Sequence, residues 1–150
     1  MTSSRFPAHG SLRLSIEGQL LIIEGSGPAN LEMVQEYQQQ VVGLRKKLMH
    51  APWVSLALLS GTPLVSPEAK ELFVQVIKQA KTMNLRATAV VLIEMESVEL
   101  VRQFWREIYI DAGLKFNFFE AEKDAREWLT SVLENESNTD VEQTSQNVLN

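Results

Sequence analysis

The chain has 150 residues, of which 45% are hydrophobic and 22% are charged, and this composition predicts one globular domain with a packed core. It contains no cysteine, which excludes disulfides, thiolate catalysis and cysteine-rich zinc sites. The net charge is −5, and the acidic segment 134–150 carries most of it, so residues 1–133 are nearly neutral. A duplex nucleic-acid binder needs a clustered positive field, and we therefore expect no nucleic-acid partner.

Residues 1–9 are polar and lack the apolar stretch of a signal peptide, so we expect a flexible N-terminus. The longest apolar runs, 20–23 and 89–93, are far shorter than the ~20 residues of a membrane span, and we expect no integral membrane association. The absence of cysteine fits a reducing compartment, which leads us to expect a cytoplasmic protein.

Two strands open the domain. Residues 11–17 read SLRLSIE, in which Leu12, Leu14 and Ile16 alternate with polar residues, as in a strand with one buried face. After a short turn, residues 20–25 read LLIIEG and form a second strand. The short connection predicts a hairpin.

A first helix is predicted over about 31–49, with Asn30 as its N-cap. Its last turn carries Arg45, Lys46 and Lys47, which we interpret as a solvated face that favours the helix dipole. The next strand, WVSLALL at 53–59, is apolar on both faces, as expected of a central strand covered by helices on both sides.

The remaining elements follow the same alternation. A second helix begins after Ser66, and LRATAVVLI at 85–93 is a strand that is again apolar on both faces. A third helix ends at Gly113 as its C-cap, and KFNFF is a fifth strand. A fourth helix ends near 133, and we interpret Trp105 and Trp128, on the third and fourth helices, as core residues.

The order ββαβαβαβα predicts an α/β fold with a five-stranded, mostly parallel sheet, an N-terminal antiparallel hairpin and four helices. Right-handed crossovers are expected to place helices on both faces. Residues 10–133 form the domain in this interpretation, and 134–150 are a disordered acidic tail because they show no apolar periodicity.

Four passages carry a resemblance to a known fold family. They are the hairpin start, EGSGPANLEMVQEYQQQV at 24–41, SPEAKELF at 66–73 and FNFFEAEKDAREWL at 116–129. Together they resemble the SpoIIAA-like branch of the STAS-like fold, which is related to CRAL-TRIO domains, over roughly residues 10–133. The resemblance implies the fold described above and a regulatory or protein-interaction role.

In the anti-sigma-factor antagonists of this fold, an Asp-Ser-Ser-Gly motif opens the second helix and one of its serines is phosphorylated. The matching place here reads Ser66-Pro67-Glu68-Ala69. The phosphoacceptor position therefore falls on Pro67 or Glu68, and neither residue has a hydroxyl group. Phosphorylation of Ser60, Thr62 or Ser66 remains an alternative.

The glycine-containing loops lack the signatures of phosphate binding. The loop that begins at Ser60-Gly61-Thr62 has neither the second glycine nor the lysine of a Walker A motif. Ser66 followed by proline is typical of an N-cap, in which the hydroxyl accepts from free backbone N–H groups. A dinucleotide fingerprint that starts at Gly25-x-Gly27 would need glycine at Asn30, so this passage is interpreted as a turn and a cap.

Polar side chains follow several strands, where the carboxyl edge of the sheet is expected. The candidates for ligand or partner contact are Glu24, Ser60, Thr62, Ser66, Glu94 and Glu120. The two histidines, His9 and His50, lie on predicted loops without metal-ligand spacing, and we expect no metal and no cofactor. No combination of nucleophile, histidine and carboxylate indicates catalysis.

The sequence therefore favours a non-catalytic regulatory or protein-interaction module that binds a protein partner or self-associates, for example as a homodimer. The alternative is a carrier of a small apolar or lipid-like ligand, by analogy with CRAL-TRIO domains. A third reading, an enzyme, would need polar groups that converge at the carboxyl ends of the strands.

Overall fold

The computed structural model describes residues 10–28, 30–61, 65–95 and 97–149, with side chains up to Glu136. The strands are β1 (Ser11–Glu17), β2 (Leu20–Ser26), β3 (Trp53–Ser60), β4 (Leu85–Ile93) and β5 (Lys115–Phe119). The helices are α1 (Leu31–Leu48), α2 (Pro67–Lys81), α3 (Val98–Ala112) and α4 (Glu122–Leu149). The predicted element order is confirmed.

The five strands form one sheet in the order β1-β2-β3-β4-β5. β1 is antiparallel to β2, with Leu14 opposite Ile23, and the other neighbouring strands are parallel. The predicted fold class is therefore confirmed. Because the parallel strands follow one another in sequence order, right-handed crossovers place α1, α2 and α3 on one face, which we call the three-helix face.

Side-chain alternation along the strands builds a core on each face. On the three-helix face, β3 contributes Trp53, Ala57 and Leu59, which pack with residues of α1, α2 and α3. A series of aromatic rings crosses this layer with centroid separations of 5.0 to 6.0 Å. Its members are Tyr37, Phe73, Trp105, Tyr109 and Phe116. The prediction that Trp105 is a core residue is confirmed.

The opposite face, which we call the α4 face, is covered by α4. Ala125, Leu129 and Val132 pack against small and β-branched strand residues, which include Ala87 and Ala89. Trp128 lies at the margin of this cluster and is half-buried, so the prediction that it is a core residue was too strong. Its ring instead packs beside Phe119, with centroids 5.7 Å apart.

An ion-pair cluster joins α4 to the hairpin. Arg126 donates to Glu122 at 2.8 Å and to Glu17 of β1 at 2.9 Å. The hydrogen bonds to Glu17 and Glu122 raise the pKa of the Arg126 guanidinium above its already high ordinary value. The cluster is largely exposed, so it directs α4 across the sheet more than it stabilises the fold.

The helix ends follow the sequence signals. Asn30 caps α1 by accepting from the N–H of Met33 at 2.9 Å, and Ser66 caps α2 by accepting from that of Ala69 at 3.3 Å. Gly113 ends α3 with φ of 70°, a left-handed conformation that favours glycine. These three predicted caps are confirmed.

The backbone of α4 continues to Leu149, whereas the sequence predicts a helix that ends near 133 and a disordered tail. Residues 122–149 contain no glycine or proline, so nothing in them stops helical geometry once the sheet contacts end.

The domain boundaries stay predictions, and the predicted flexible residues 1–9 lie outside the described residues. None of the helices in the described part of the chain is long and apolar enough to cross a membrane.

Candidate functional site at the carboxyl edge of the sheet

Two glycine loops meet where β2 and β3 end. Ser26 and Ser60 are register partners, and the N–H of Gly27 donates to the carbonyl of Ser60 at 3.1 Å. Gly27 and Gly61 both have positive φ, and a Cβ on Gly61 would lie only 3.0 Å from the nitrogen of Gly27. The glycines therefore serve the close approach of two chain segments, which agrees with their interpretation as turns.

At the start of α2, Pro67 occupies the first turn and Glu68 adds an acidic residue to it. The hydroxyl of Ser66 is used as the cap, as predicted. The place that the resemblance matches with the phosphoacceptor thus carries a proline ring and a carboxylate on a well-formed helix start.

The other predicted contact residues share the edge but do not converge. Glu24 and Ser60 line a shallow depression of about 560 Å³ on the α4 face, together with Glu122. Glu24 is exposed and lies 3.8 Å from Arg13 of β1. Glu94 and Glu120 are exposed and line neither this depression nor the cavity described below, and Thr62 lies outside the described residues.

Glu94 has an unusual backbone, with φ of 45° at the end of β4. A left-handed conformation is uncommon for a residue with a Cβ, and such strain is found preferentially at functional sites. Among the predicted contact residues, Glu94 is therefore the one whose local structure itself suggests a role.

Three large apolar side chains are exposed along this edge. Leu31 begins α1 and Ile93 ends β4, each with 39% of its surface exposed, and Leu100 in the first turn of α3 is 62% exposed. α1 follows β2 and α3 follows β4, so all three residues lie where parallel strands end. We call Leu31, Ile93 and Leu100 the carboxyl-edge patch.

A cavity runs beneath the helices of the three-helix face. Its volume is about 70 Å³, and its lining extends from Gly25, Gly27 and Met33 at the carboxyl edge to Leu85 and Leu114 at the opposite end of the strands. Aliphatic and aromatic side chains dominate the lining. A site of this kind admits a small apolar molecule and gives few polar groups with which to bind it.

Among the few polar groups that line the cavity are buried hydroxyl groups. Ser55 donates to Thr88 at 2.8 Å, and both line the cavity together with Tyr37 and Tyr109. Burial raises the pKa of both tyrosine hydroxyls, and the hydrogen bond with Thr88 opposes this effect at Tyr109. We did not predict these residues, although a hydroxyl residue in the middle of each of two largely apolar strands was a usable signal.

The burial of Arg45 differs from what the sequence predicts. This residue was expected on a solvated face with Lys46 and Lys47, but only 5% of its surface is exposed. Its Nη1 has no hydrogen-bond partner among the described residues. The guanidinium acts on Tyr37 by lowering the pKa of the hydroxyl, against the larger effect of burial. α1 turns this side chain inward because its 3.6-residue period aligns Arg45 with Val34, Tyr37 and Val41.

The arrangement of the described histidine and carboxylate side chains gives no indication of a metal site. Within the part of the chain that the structure describes, no three histidine or carboxylate side chains are grouped so that they could hold a metal ion. The described residues of the carboxyl edge offer apolar contact, hydrogen bonding and the charge of exposed carboxylates.

The fold has counterparts among solved structures. An uncharacterised protein of the DUF3478 family with a SpoIIAA-like fold, from Shewanella loihica PV-4, is 19% identical, with a TM-score of 0.53 over 80% of this chain and 93% of that one. An anti-sigma factor antagonist from Mycobacterium paratuberculosis is 7% identical, with a TM-score of 0.53 over 83% of this chain and 97% of that one.

Comparison by sequence adds nothing to these two likenesses, since no family model and no curated protein matches the chain. Identities this low establish shared architecture alone. Together with the strand order and the four helices, they show that this chain has the SpoIIAA-like, or STAS-like, fold.

Proposed function

We propose that this chain is a non-catalytic regulatory module that binds a partner protein through the carboxyl-edge patch. The observation that carries the proposal is the exposure of Leu31, Ile93 and Leu100 at one edge of the sheet. Large apolar side chains that stay exposed along one edge of a sheet are typical of contact surfaces, whose centres are apolar and whose rims are polar. The exposed carboxylates of Glu24 and Glu94 lie at the same edge of the sheet.

Two further observations support this function. The similar structure from Mycobacterium paratuberculosis is an anti-sigma factor antagonist, a class of regulator that acts on another protein. The polar candidates Glu24, Ser60, Glu94 and Glu120 are spread along the edge and do not converge on one reaction centre. A cytoplasmic location belongs to the same proposal.

The regulation we propose does not use a phosphoserine at the start of α2. Pro67 and Glu68 occupy the corresponding place, and Ser66 is engaged as a cap. A fixed carboxylate at this position makes the surface constitutively acidic, so we expect the partner to be bound without a phosphorylation cycle.

The test uses a photo-crosslinking amino acid at position 100 of the full chain, expressed in its own cells, with position 110 as the matched control. Leu100 and Ile110 are 62% and 60% exposed on the same helix, but Ile110 lies at the opposite end of it. We expect a discrete adduct at position 100 only. The purified partner should then bind the Leu100→Glu variant at least about tenfold more weakly than the wild type, because an apolar anchor is lost. It should bind the Ile110→Glu variant with wild-type affinity. Equal effects at the two positions would contradict the proposal.

The cavity favours a second candidate, a carrier of a small apolar ligand. At about 70 Å³ it is smaller than the engineered cavity of ~150 Å³ that holds benzene in another protein, so it fits a small or narrow molecule and not a bulky lipid. Native mass spectrometry of the purified chain tests this candidate. A bound mass that disappears in Ala57→Leu, which fills the cavity, supports it, and an unliganded wild-type mass counts against it.

A further inference from the structure

β5 forms one edge of the sheet, since within the described residues it pairs with β4 on one side only. An edge strand carries backbone donors and acceptors that no neighbouring strand uses. Here the N–H of Phe118 donates to the side-chain Oδ1 of Asn117 at 2.9 Å. The side chain of Asn117 thus occupies this backbone donor of the edge. Rotation of that side chain would free the N–H of Phe118 to pair with another strand.

Two arginines of α3 lie over the same ring of β5. The guanidinium carbons of Arg102 and Arg106 are 5.7 and 5.9 Å from the centre of the Phe118 ring. Within the described part of the chain, the carboxylate paired with them is that of Glu99, 2.9 Å from Arg102. Arg106 donates to the neutral amide of Gln103. This side of the edge therefore keeps an excess of positive charge.

The other side of β5 is similar. The ammonium group of Lys115 lies 5.8 Å from the centre of the Trp128 ring, and that ring is half-buried. Each face of the edge thus presents an aromatic ring with a cation over it. Cations held against rings keep their charge accessible to an anion that approaches along the edge.

We propose that the free edge of β5 binds an extended acidic segment of a partner protein, which adds to the sheet as a sixth strand. Its backbone would pair with the outward groups of β5, and carboxylates at alternate positions would meet Arg102 and Arg106. The spacing fits, because side chains two residues apart on a strand are separated by about 6.8 Å, and helix residues four apart by about 5–6 Å. This surface is separate from the carboxyl-edge patch, so either proposal can fail without the other.

Charge decides between this occupant and a second copy of the chain. Pairing of β5 with β5 of another copy would bring Lys115, Arg102 and Arg106 of both copies together along one seam. Like charges directly opposite each other on paired strands are destabilising. An acidic strand instead forms charge-assisted hydrogen bonds with guanidinium groups, which are among the stronger polar contacts in proteins.

The probe is an eight-residue fluorescent peptide in which glutamate alternates with threonine, titrated by anisotropy against the full chain. Two peptides accompany it, one with lysine in place of glutamate and one N-methylated at alternate backbone nitrogens. We expect saturable binding of the glutamate peptide, no binding of the lysine peptide, and a loss of at least about tenfold on N-methylation because backbone donors are removed. Equal binding of the N-methylated peptide would exclude strand addition.

Two double variants complete the test. Arg102→Gln/Arg106→Gln should weaken the glutamate peptide at least about tenfold, whereas Lys46→Gln/Lys47→Gln, with the same change of charge at the exposed end of α1, should not. Thermal melts check that both variants fold, and the N-methylated peptide tests the proposal on the unmodified chain. Equal losses of affinity for the glutamate peptide in the two variants would overturn the proposal, and so would a failure of that peptide to bind the wild type. A wild-type dimer that the Arg102→Gln/Arg106→Gln variant abolishes would also overturn it.

Discussion

The two faces of the sheet are covered in different ways. The three-helix face packs large aromatic rings and branched residues from α1, α2 and α3 and encloses a cavity of about 70 Å³. The α4 face packs a single helix through Ala125 and Leu129 onto Ala87 and Ala89. Small residues allow a helix to pack closely against a sheet, whereas aromatic rings from three separate helices leave space that no side chain fills. Room for a ligand therefore arises on the side with the larger side chains.

Replacement of Trp105 should produce the largest effect. Its ring packs against Phe73, Phe104 and Tyr109 on the three-helix face. We expect Trp105→Ala to lower the free energy of unfolding by about 3–5 kcal/mol, as for a buried aromatic residue. The matched change Trp128→Ala on the α4 face should cost less, about 1–2 kcal/mol, because that side chain is only partly buried. Urea melts measure both, and equal costs would show that the rings anchor the two faces alike.

Alkaline pH should weaken the three-helix face specifically. Both tyrosines of the chain, Tyr37 and Tyr109, are buried there, and burial raises the pKa of each above its ordinary value. The unfolded chain loses these protons near pH 10 and the folded chain keeps them. Stability should therefore be unaffected by these groups below about pH 10 and fall above it, by up to about 2.7 kcal/mol per pH unit for two groups. Phenolate absorbance that rises at pH 10 while circular dichroism stays native would contradict this burial.

An alanine-to-valine pair tests the difference in packing directly. Ala89 is fully buried against α4, and Ala57 lines the cavity. Ala89→Val should cost about 1–3 kcal/mol because the α4 face has no room for two more methyl groups. Ala57→Val should change stability by less than about 1 kcal/mol, since the added methyl groups enter existing space. Thermal and urea unfolding compare the two variants, and the reverse order would mean that the space lies on the α4 side.

Removal of the end of α4 should have the smallest effect. Deletion of residues 137–150 removes a segment in which only Val141, Val148 and Leu149 are apolar. The deletion leaves the ion pair of Arg86 with Glu136, whose atoms are 3.4 Å apart, in place. We expect a change in stability below about 1 kcal/mol. A larger loss would show that the segment beyond Glu136 contributes to the α4 face, contrary to the predicted disordered tail.

The element order, the sheet class and three helix caps could be predicted from the amino-acid sequence. Alternation at Leu12, Leu14 and Ile16, and the cap residues Asn30, Ser66 and Gly113, are local signals whose meaning depends on neighbouring backbone atoms only. Such signals can be read without knowledge of the tertiary contacts.

Contacts between distant segments set which polar groups are buried and which apolar groups are exposed. Arg45 is buried together with the apolar residues of α1, and Ser55 meets Thr88 because β3 and β4 are in that register. Leu31, Ile93 and Leu100 lie at the same edge of the sheet only because α1 and α3 begin where β2 and β4 end. Periodicity aligns Arg45 with the apolar residues of α1, but whether a polar side chain is covered, and which segments meet, depends on contacts between residues far apart in the chain.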